Sequence, residues 1–274
     1  ETETKNIKVL VVEDIALNQL LMKTLLNDFG FEHDIASNGK IALEKLQGNN
    51  YDIILMDLQM PEMDGFEATD YIRNKMKLNI PIIALTANVT TVDLEKCKAV
   101  GMNDYISKPV EEKILYQKIV NLVKNSPTVK SGEVIDNSPS VEKVNQANEN
   151  SQKLKCTDLS YLKQRTKSNK KLLMEMIALY LDQTPTILSA MKQSVANKDY
   201  PSLYKAAHKL IPSFAIMGIN GGFEDIAKKV QEYASNEKNI DAIPDLVLQL
   251  DKVCAKACEE LTEAFKELQD TDKE

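Results

Sequence analysis

Three carboxylates at the ends of apolar runs carry the first chemistry legible in the chain. "VVED" closes on Glu13 and Asp14, and four consecutive apolar residues, Ile53 to Met56, run straight into Asp57. A lone carboxylate after such a run could be a helix cap. If the two runs are adjacent parallel strands, about 4.8 Å apart, three carboxylates converge with no basic residue beside them in sequence. That cluster is strained unless a cation occupies it, and oxygen-only ligands with room for water favour Mg²⁺. Two further runs end in a hydroxyl, Thr86, and an ammonium, Lys108. A cation, a hydroxyl, a lysine and a free carboxylate suit phosphoryl transfer, which asks for positioning and charge neutralisation more than for covalent chemistry. Asp57 is then the nucleophile. Mg²⁺ and Lys108 neutralise, and Thr86 hydrogen-bonds the bound phosphoryl group.

The chain has two histidines. His33, inside "FEHDIA", reads as an ordinary strand residue. His208 lies on a helical stretch whose apolar stripe, Leu203, Ala207, Leu210, Phe214 and Met217, should face a core. At about 100° per residue His208 points roughly 135° from the middle of that stripe, which predicts an exposed ring. Its own face is unusually apolar (Pro201, Tyr204, Ile211, Pro212, Ala215, Ile219), with Lys205 and Lys209 flanking. An apolar ring around one imidazole suggests a docking patch. An exposed imidazole without an acidic partner in its helix can attack an acyl phosphate; the plain alternative is a surface histidine.

The elements that must position these groups follow from periodicity. Residues 7–12, 32–36, 52–56, 80–86 and 104–108 read as strands, with helices near 15–28, 38–47, 64–77, 90–100 and 110–124. Five βα units imply a doubly wound parallel sheet with helices on both faces, whose ligands bind beyond the carboxyl ends of the strands. Residues 125–152 hold two Ser-Pro steps and few large apolar residues, the composition of a flexible linker; as a coil they would span about 30 Å, short enough to raise the effective concentration of one half near the other. Apolar helical spacing then returns with almost no strand signal, the pattern of an all-α bundle. Thr184-Pro185 within it predicts a helix restart, and Asp199 before Tyr200-Pro201 a helix start. Asn220-Gly221-Gly222 reads as a helix break. Ile15, Asn18 and Met22, spaced i, i+3, i+7 away from the Leu17/Leu20/Leu21 face, are a candidate partner for the patch around His208; otherwise Ile15 and Met22 fill the core.

Length and charge bound the rest. At 274 residues the chain suits two domains. Residues 1–125 carry 14 basic and 19 acidic side chains, 126–152 carry 2 and 4, and 153–274 carry 18 and 18, giving −5, −2 and 0. Neither half is basic, which argues against nucleic acid, and the second half shows no helix-turn-helix cue. The four cysteines make no disulfide framework at this length, and Cys254 and Cys258 lack the neighbours of a zinc site. No apolar run reaches 18 residues, so no membrane contact is expected of these residues and a cytoplasmic location is. No phosphate-binding GxxxxGK[ST] loop occurs. The chain opens Glu1-Thr2-Glu3, as expected of a piece of a longer protein, any membrane anchor of which would lie outside these residues.

In its first half the chain resembles the receiver domain of response regulators and hybrid kinases over residues 7–124, on Glu13-Asp14, "DLQMPEMDG" from Asp57, "LTAN" from Leu85 and Lys108-Pro109. The resemblance implies Asp57 as phospho-acceptor and metal contacts from Asp14, Asp57, the Gln59 carbonyl and, through water, Glu13. It also implies a cis Lys108-Pro109 bond and Tyr105 as an aromatic switch. "AAHKLIPSFAIMGI" and the residues before it resemble a histidine-containing phosphotransfer (HPt) domain over about 160–268, implying a four-helix bundle with phospho-accepting His208. Two departures stand out: Ile211 where that family often has Lys, leaving Lys209 as the nearby cation, and Pro212 where it usually has Gly, which should kink the helix. The expected organisation is a receiver at 5–124, a linker at 125–152 and an HPt bundle at 153–270. The expected function is a two-component phosphorelay: histidine to Asp57, to His208, to a downstream receiver, in the C-terminal part of a hybrid sensor histidine kinase. Its partners would be an upstream histidine kinase core and a downstream receiver protein. The alternative is an adaptor whose receiver gates docking, with His208 as a phosphate sink.

Overall fold

A computed structural model describes residues 7–86, 91–124, 155–167 and 169–270. The proposed linker and the Ala87-Asn88 part of "LTAN" lie outside the described residues. Five strands, β1 (Lys8–Val12), β2 (Glu32–Ala36), β3 (Ile53–Asp57), β4 (Ile82–Thr86) and β5 (Asp104–Ser107), form one parallel sheet in the order β2-β1-β3-β4-β5. β3 and β4 are buried along their whole length, as continuous Ile/Leu runs require of central strands covered on both faces. Helices α1 (Ala16–Asp28), α2 (Gly39–Gly48), α3 (Gly65–Asn74), α4 (Thr91–Val100) and α5 (Glu112–Lys124) alternate with the strands. Local chemistry sets their starts: the Asn38 side chain accepts from Ile41 N–H, and Asp64 and Glu67 form a capping box. Gly65 is needed where it stands, because a Cβ there would collide with the Asp57 carbonyl oxygen. α3 therefore begins directly over the backbone of Asp57.

The chain's second part is helical: α6 (Ser160–Arg165), α7 (Lys170–Asn197), α8 (Tyr200–Ile216), α9 (Phe223–Asn236) and α10 (Ile243–Asp270). The last four pack in a closed cycle, α7 on α8, α8 on α9, α9 on α10 and α10 on α7. The Leu203, Ala207, Leu210, Phe214, Met217 stripe lies in their common core, each residue 1% exposed or less. Asp199 caps α8 by accepting from Ser202 N–H, with Pro201 in the first turn. Gly221 and Gly222 break the chain between α8 and α9, both at positive φ. One detail differs from the sequence reading. α7 continues through Thr184-Pro185 without a restart, because Met176, Tyr180, Thr184, Leu188 and Met191 hold one uninterrupted buried face on both sides of the proline. α8 spans Pro212, which lacks the N–H that would meet the His208 carbonyl. No described helix is long and apolar enough to cross a membrane.

The sheet's α1/α5 side shares one continuous apolar core with the helical part, while α2 and α3 cover the other side. α1 packs on α7. α6 adds a polar clamp. Arg165 donates to the Val110 carbonyl at 3.3 Å and lies 3.5 Å from Glu112, and Lys167 pairs with Asp28 at 3.0 Å. These groups are partly solvated, so the clamp contributes on the order of 1 kcal/mol. Arg165→Glu should therefore raise amide exchange across α6 about fivefold, and Glu112→Arg in the same chain should restore protection. Unchanged exchange in the single variant would show that the clamp holds nothing.

Candidate functional site

The parallel sheet brings the ends of β1, β3 and β4 together, with Lys108 just past the end of β5. Lys108 Nζ sits between two carboxylates, 2.7 Å from Asp57 Oδ2 and 2.7 Å from Glu13 Oε2. Its backbone N–H donates to the Thr86 carbonyl at 2.7 Å, which ties β5's exit to β4, and the Lys108-Pro109 bond is cis. Glu13 Oε1 also accepts from Ile15 N–H and Asn18 Nδ2, both at 3.1 Å, so the acid that faces the site secures the start of α1. Asp57 Oδ1 accepts from Gln59 N–H at 3.3 Å. Asp14 differs from its neighbours. Its Oδ1 is buried with no hydrogen-bond partner among the described residues, and its Oδ2 lies 4.0 Å from Lys209 Nζ.

Burial dominates the electrostatics. It pushes the carboxyls of Glu13 and Asp57 up from their usual range against the pull of Lys108. Asp14 is pushed up to about 6, by burial and then by Glu13. For Lys108, burial opposes the ammonium, but Asp57 and Glu13 outweigh it and hold the group charged. Lys108 thus serves Glu13 and Asp57, Lys209 stands 4.0 Å from Asp14, and the buried Asp14 Oδ1 is a ligand atom suited to a divalent cation. The oxygen-rich donor set fits Mg²⁺.

His208 is not exposed. It keeps 8% of its surface, and what covers it is the sheet-bearing part of the chain rather than the core of its own helices. Its ring lines one cavity with Asp57, Gln59 and Thr86, and another with Asn18, Met22 and Lys108. Donor atoms of Asp14, Asp57 and His208 all lie within 4.8 Å of one another. The Nε2 atom is buried with no hydrogen-bond partner among the described residues, and Nδ1 is 3.3 Å from Gln231 Nε2. Burial, then the Lys108 charge, lower the imidazole pKa to about 4, so the ring is neutral at physiological pH.

The patch around His208 behaves as expected in outline: Ile211, Pro212 and Ala215 face Asn18, Met22 and Pro109. Leu21 joins them, contrary to its assignment to the opposite face of α1. Ile15 is buried at 6% exposure but does not line that cavity. Lys205 and Lys209 line a third cavity, with Asp14. Tyr105 is 37% exposed, with Lys118 5.3 Å over its ring. His33 stays an ordinary β2 residue, its Nδ1 3.4 Å from the Phe31 carbonyl. Sequence reasoning missed Gln231. This α9 residue touches both halves, with its amide 3.3 Å from Gln59 Oε1 as well as from His208.

Comparison with known proteins places these residues in context. Residues 9–120 match the response regulator receiver domain family. Hybrid signal transduction histidine kinase B of Dictyostelium discoideum is 46% identical over 125 residues, covering 41% of this chain and 6% of that protein. The signal transduction histidine-protein kinase BarA of Shigella flexneri is 28% identical over 247 residues, 89% of this chain and 26% of that protein. The second match extends past the sheet into the helical part, and the chain spans about a quarter or less of either kinase. Among solved structures, the receiver domain of the sensor histidine kinase PA1611 from Pseudomonas aeruginosa PAO1, with a magnesium ion in its active-site cleft, is 35% identical. It aligns with 44% of this chain and 99% of that one at a TM-score of 0.41.

Proposed function

Residues 9–120 are a receiver domain of the response-regulator family, homologous to the receivers of hybrid histidine kinases, and from that premise we propose that the chain is a phosphorelay module. A phosphoryl group arrives on Asp57 from an upstream histidine, moves to His208, and leaves for a downstream receiver. Residues 5–124 act as receiver, 125–152 as tether and 153–270 as an HPt four-helix bundle. The observation that supports this reading is the buried His208 ring, one nitrogen of which lies within 4.8 Å of carboxylate oxygens of Asp57 and Asp14. A nucleophile and its electrophile need to meet within a few ångströms in a water-poor site.

In the transfer step the Nε2 lone pair attacks phosphorus. The bond from phosphorus to the Asp57 oxygen breaks, and its electron pair returns to the carboxylate. The ring then carries an Nε2–P bond, and its Nδ1 proton is lost to solvent. Gln231 orients the ring, its amide Nε2 lying 3.3 Å from Nδ1 and 3.3 Å from Gln59 Oε1; attack uses the tautomer with its proton on Nδ1. Lys108 neutralises the carboxylate that Asp57 becomes, and Thr86 donates to the phosphoryl oxygens. Mg²⁺, held by Asp14, Asp57 and the Gln59 carbonyl with Glu13 behind them, would supply further charge neutralisation when bound.

Labelling tests the relay. Full chain treated with acetyl phosphate and Mg²⁺ should accumulate acid-labile phosphohistidine and lose it to an added receiver. His208→Gln should accumulate only base-labile label, on Asp57, and Asp57→Asn none. An acid-labile phosphate that persists in His208→Gln would refute the proposal.

A further inference from the structure

The cavity between the two halves holds one more group suited to the phosphoryl group than the relay above uses. It encloses about 380 Å³, and its wall carries Asp57, Thr86 and His208. Among the described residues it has a single basic side chain, Lys228 of α9. Lys228 also lines the neighbouring cavity with Lys108 and Glu13, so it flanks the imidazole on both sides. It lies three residues before Gln231, on the same helix face.

The lysines of α8 lie on another side of the ring. Lys209 reaches toward Asp14 at 4.0 Å, and both Lys205 and Lys209 line a cavity with Asp14 and His208 that includes neither Asp57 nor Thr86. One turn beyond His208, Ile211 fills the wall of both flanking cavities with apolar surface. The cations around the ring thus divide: the α8 lysines share a cavity with Asp14, and α9 supplies the basic group of the cavity that holds Asp57 and Thr86.

We propose that Lys228, with Gln231 beside it, forms a phosphoryl-binding site on the α9 wall, which neutralises the group in transit and holds it once it is on His208. This rests on the relay reading. Lys228 Nζ is held by Glu224 at 2.6 Å, with both side chains partly exposed. A phosphoryl group carrying close to two negative charges out-competes one solvated carboxylate for that ammonium. During transfer the P–O bond to Asp57 breaks as the Nε2–P bond forms, and the equatorial oxygens face Lys228, where fixed positive charge is most effective. The ammonium gains and loses no proton.

Single-turnover transfer from phospho-Asp57 to His208 in the full chain tests the site. Lys228→Gln should slow transfer by roughly 30-fold or more, a loss in the range of a removed oxyanion donor in a partly open site. Lys228→Arg should recover most of the rate, and Lys229→Gln, an exposed neighbour that lines neither cavity, should stay within about threefold of wild type. Labelling of Asp57 by acetyl phosphate should be equal in all of them. In ³¹P NMR the phospho-His208 resonance of Lys228→Gln should titrate at higher pH than in wild type, because the dianion has lost its cation. Wild-type transfer and an unmoved ³¹P titration in Lys228→Gln, with His208→Gln still blocked, would overturn this inference alone. Acid-labile label persisting in His208→Gln would bring down the relay reading and this site together.

Discussion

Lys108→Met should cost the receiver about 3–5 kcal/mol of stability at pH 7.5 without divalent metal, because it leaves two buried carboxylates with no counter-charge. The ammonium bonds both Asp57 and Glu13 at 2.7 Å, and methionine fills its volume without its charge. The pH dependence has a definite sign. Burial already holds Glu13 and Asp57 above their usual range, and losing Lys108 raises them further. A carboxyl raised in the folded state contributes stability below its unfolded pKa, near 4, and loses it as pH rises through the folded value. The deficit should therefore be small near pH 4 and grow as pH rises through the folded values. Thermal unfolding should show a drop of roughly 10 °C at pH 7.5, recovered in part by Mg²⁺, which stands in as counter-charge. Transfer to His208 should fall by on the order of 10³ or more. Equal unfolding temperatures for variant and wild type at pH 7.5 without metal would show that Lys108 is not what makes the acidic cluster tolerable.

The acidic cluster was legible because a parallel sheet sends the carboxyl ends of its strands to one edge, so runs ending in "ED", "D" and "T" name their own site. The cis bond after Lys108 and the closed helical core were likewise expected from local pattern and family likeness. His208 was misjudged. A helical wheel reports which face turns from the helix's own core, but not that a surface 150 residues away in sequence covers it. Its apolar surroundings were the available signal, and they pointed to a docking face. Gln231 left no signal at all, being one polar residue among Lys228, Lys229 and Glu232 on an amphipathic helix. Its role exists only across the 172 residues that separate it from Gln59. Pro185 failed as a breaker because the buried stripe on either side outweighs a single missing hydrogen bond.

Ile211→Glu should cut Asp57-to-His208 transfer about 100-fold while leaving Asp57 labelling by acetyl phosphate intact or faster. Ile211 is 5% exposed and lines both cavities beside His208, so a carboxylate there must give up its water next to Glu13 and Asp57. Such a charge costs a few kcal/mol wherever it cannot be hydrated, and separating the two halves hydrates it. The position is better placed than α1 for this purpose. Ile15 and Met22, at 6% and 3% exposure, lie in the core that the sheet shares with the helical part, and charging them would destabilise the receiver as well as part the surfaces. Separation also uncovers Asp57, which keeps only 2% of its surface in this arrangement. In the proposed relay a donor histidine would reach Asp57 only with the helical part moved away, so the two steps would exclude one another in time, and Ile211→Glu would hold the chain in the state that accepts the phosphoryl group. Amide exchange at Asn18 to Met22 should rise with the loss of transfer, and Ile211→Val should leave both near wild type. A variant that transfers at the wild-type rate with α1 still protected would mean that the apolar patch does not join the two halves.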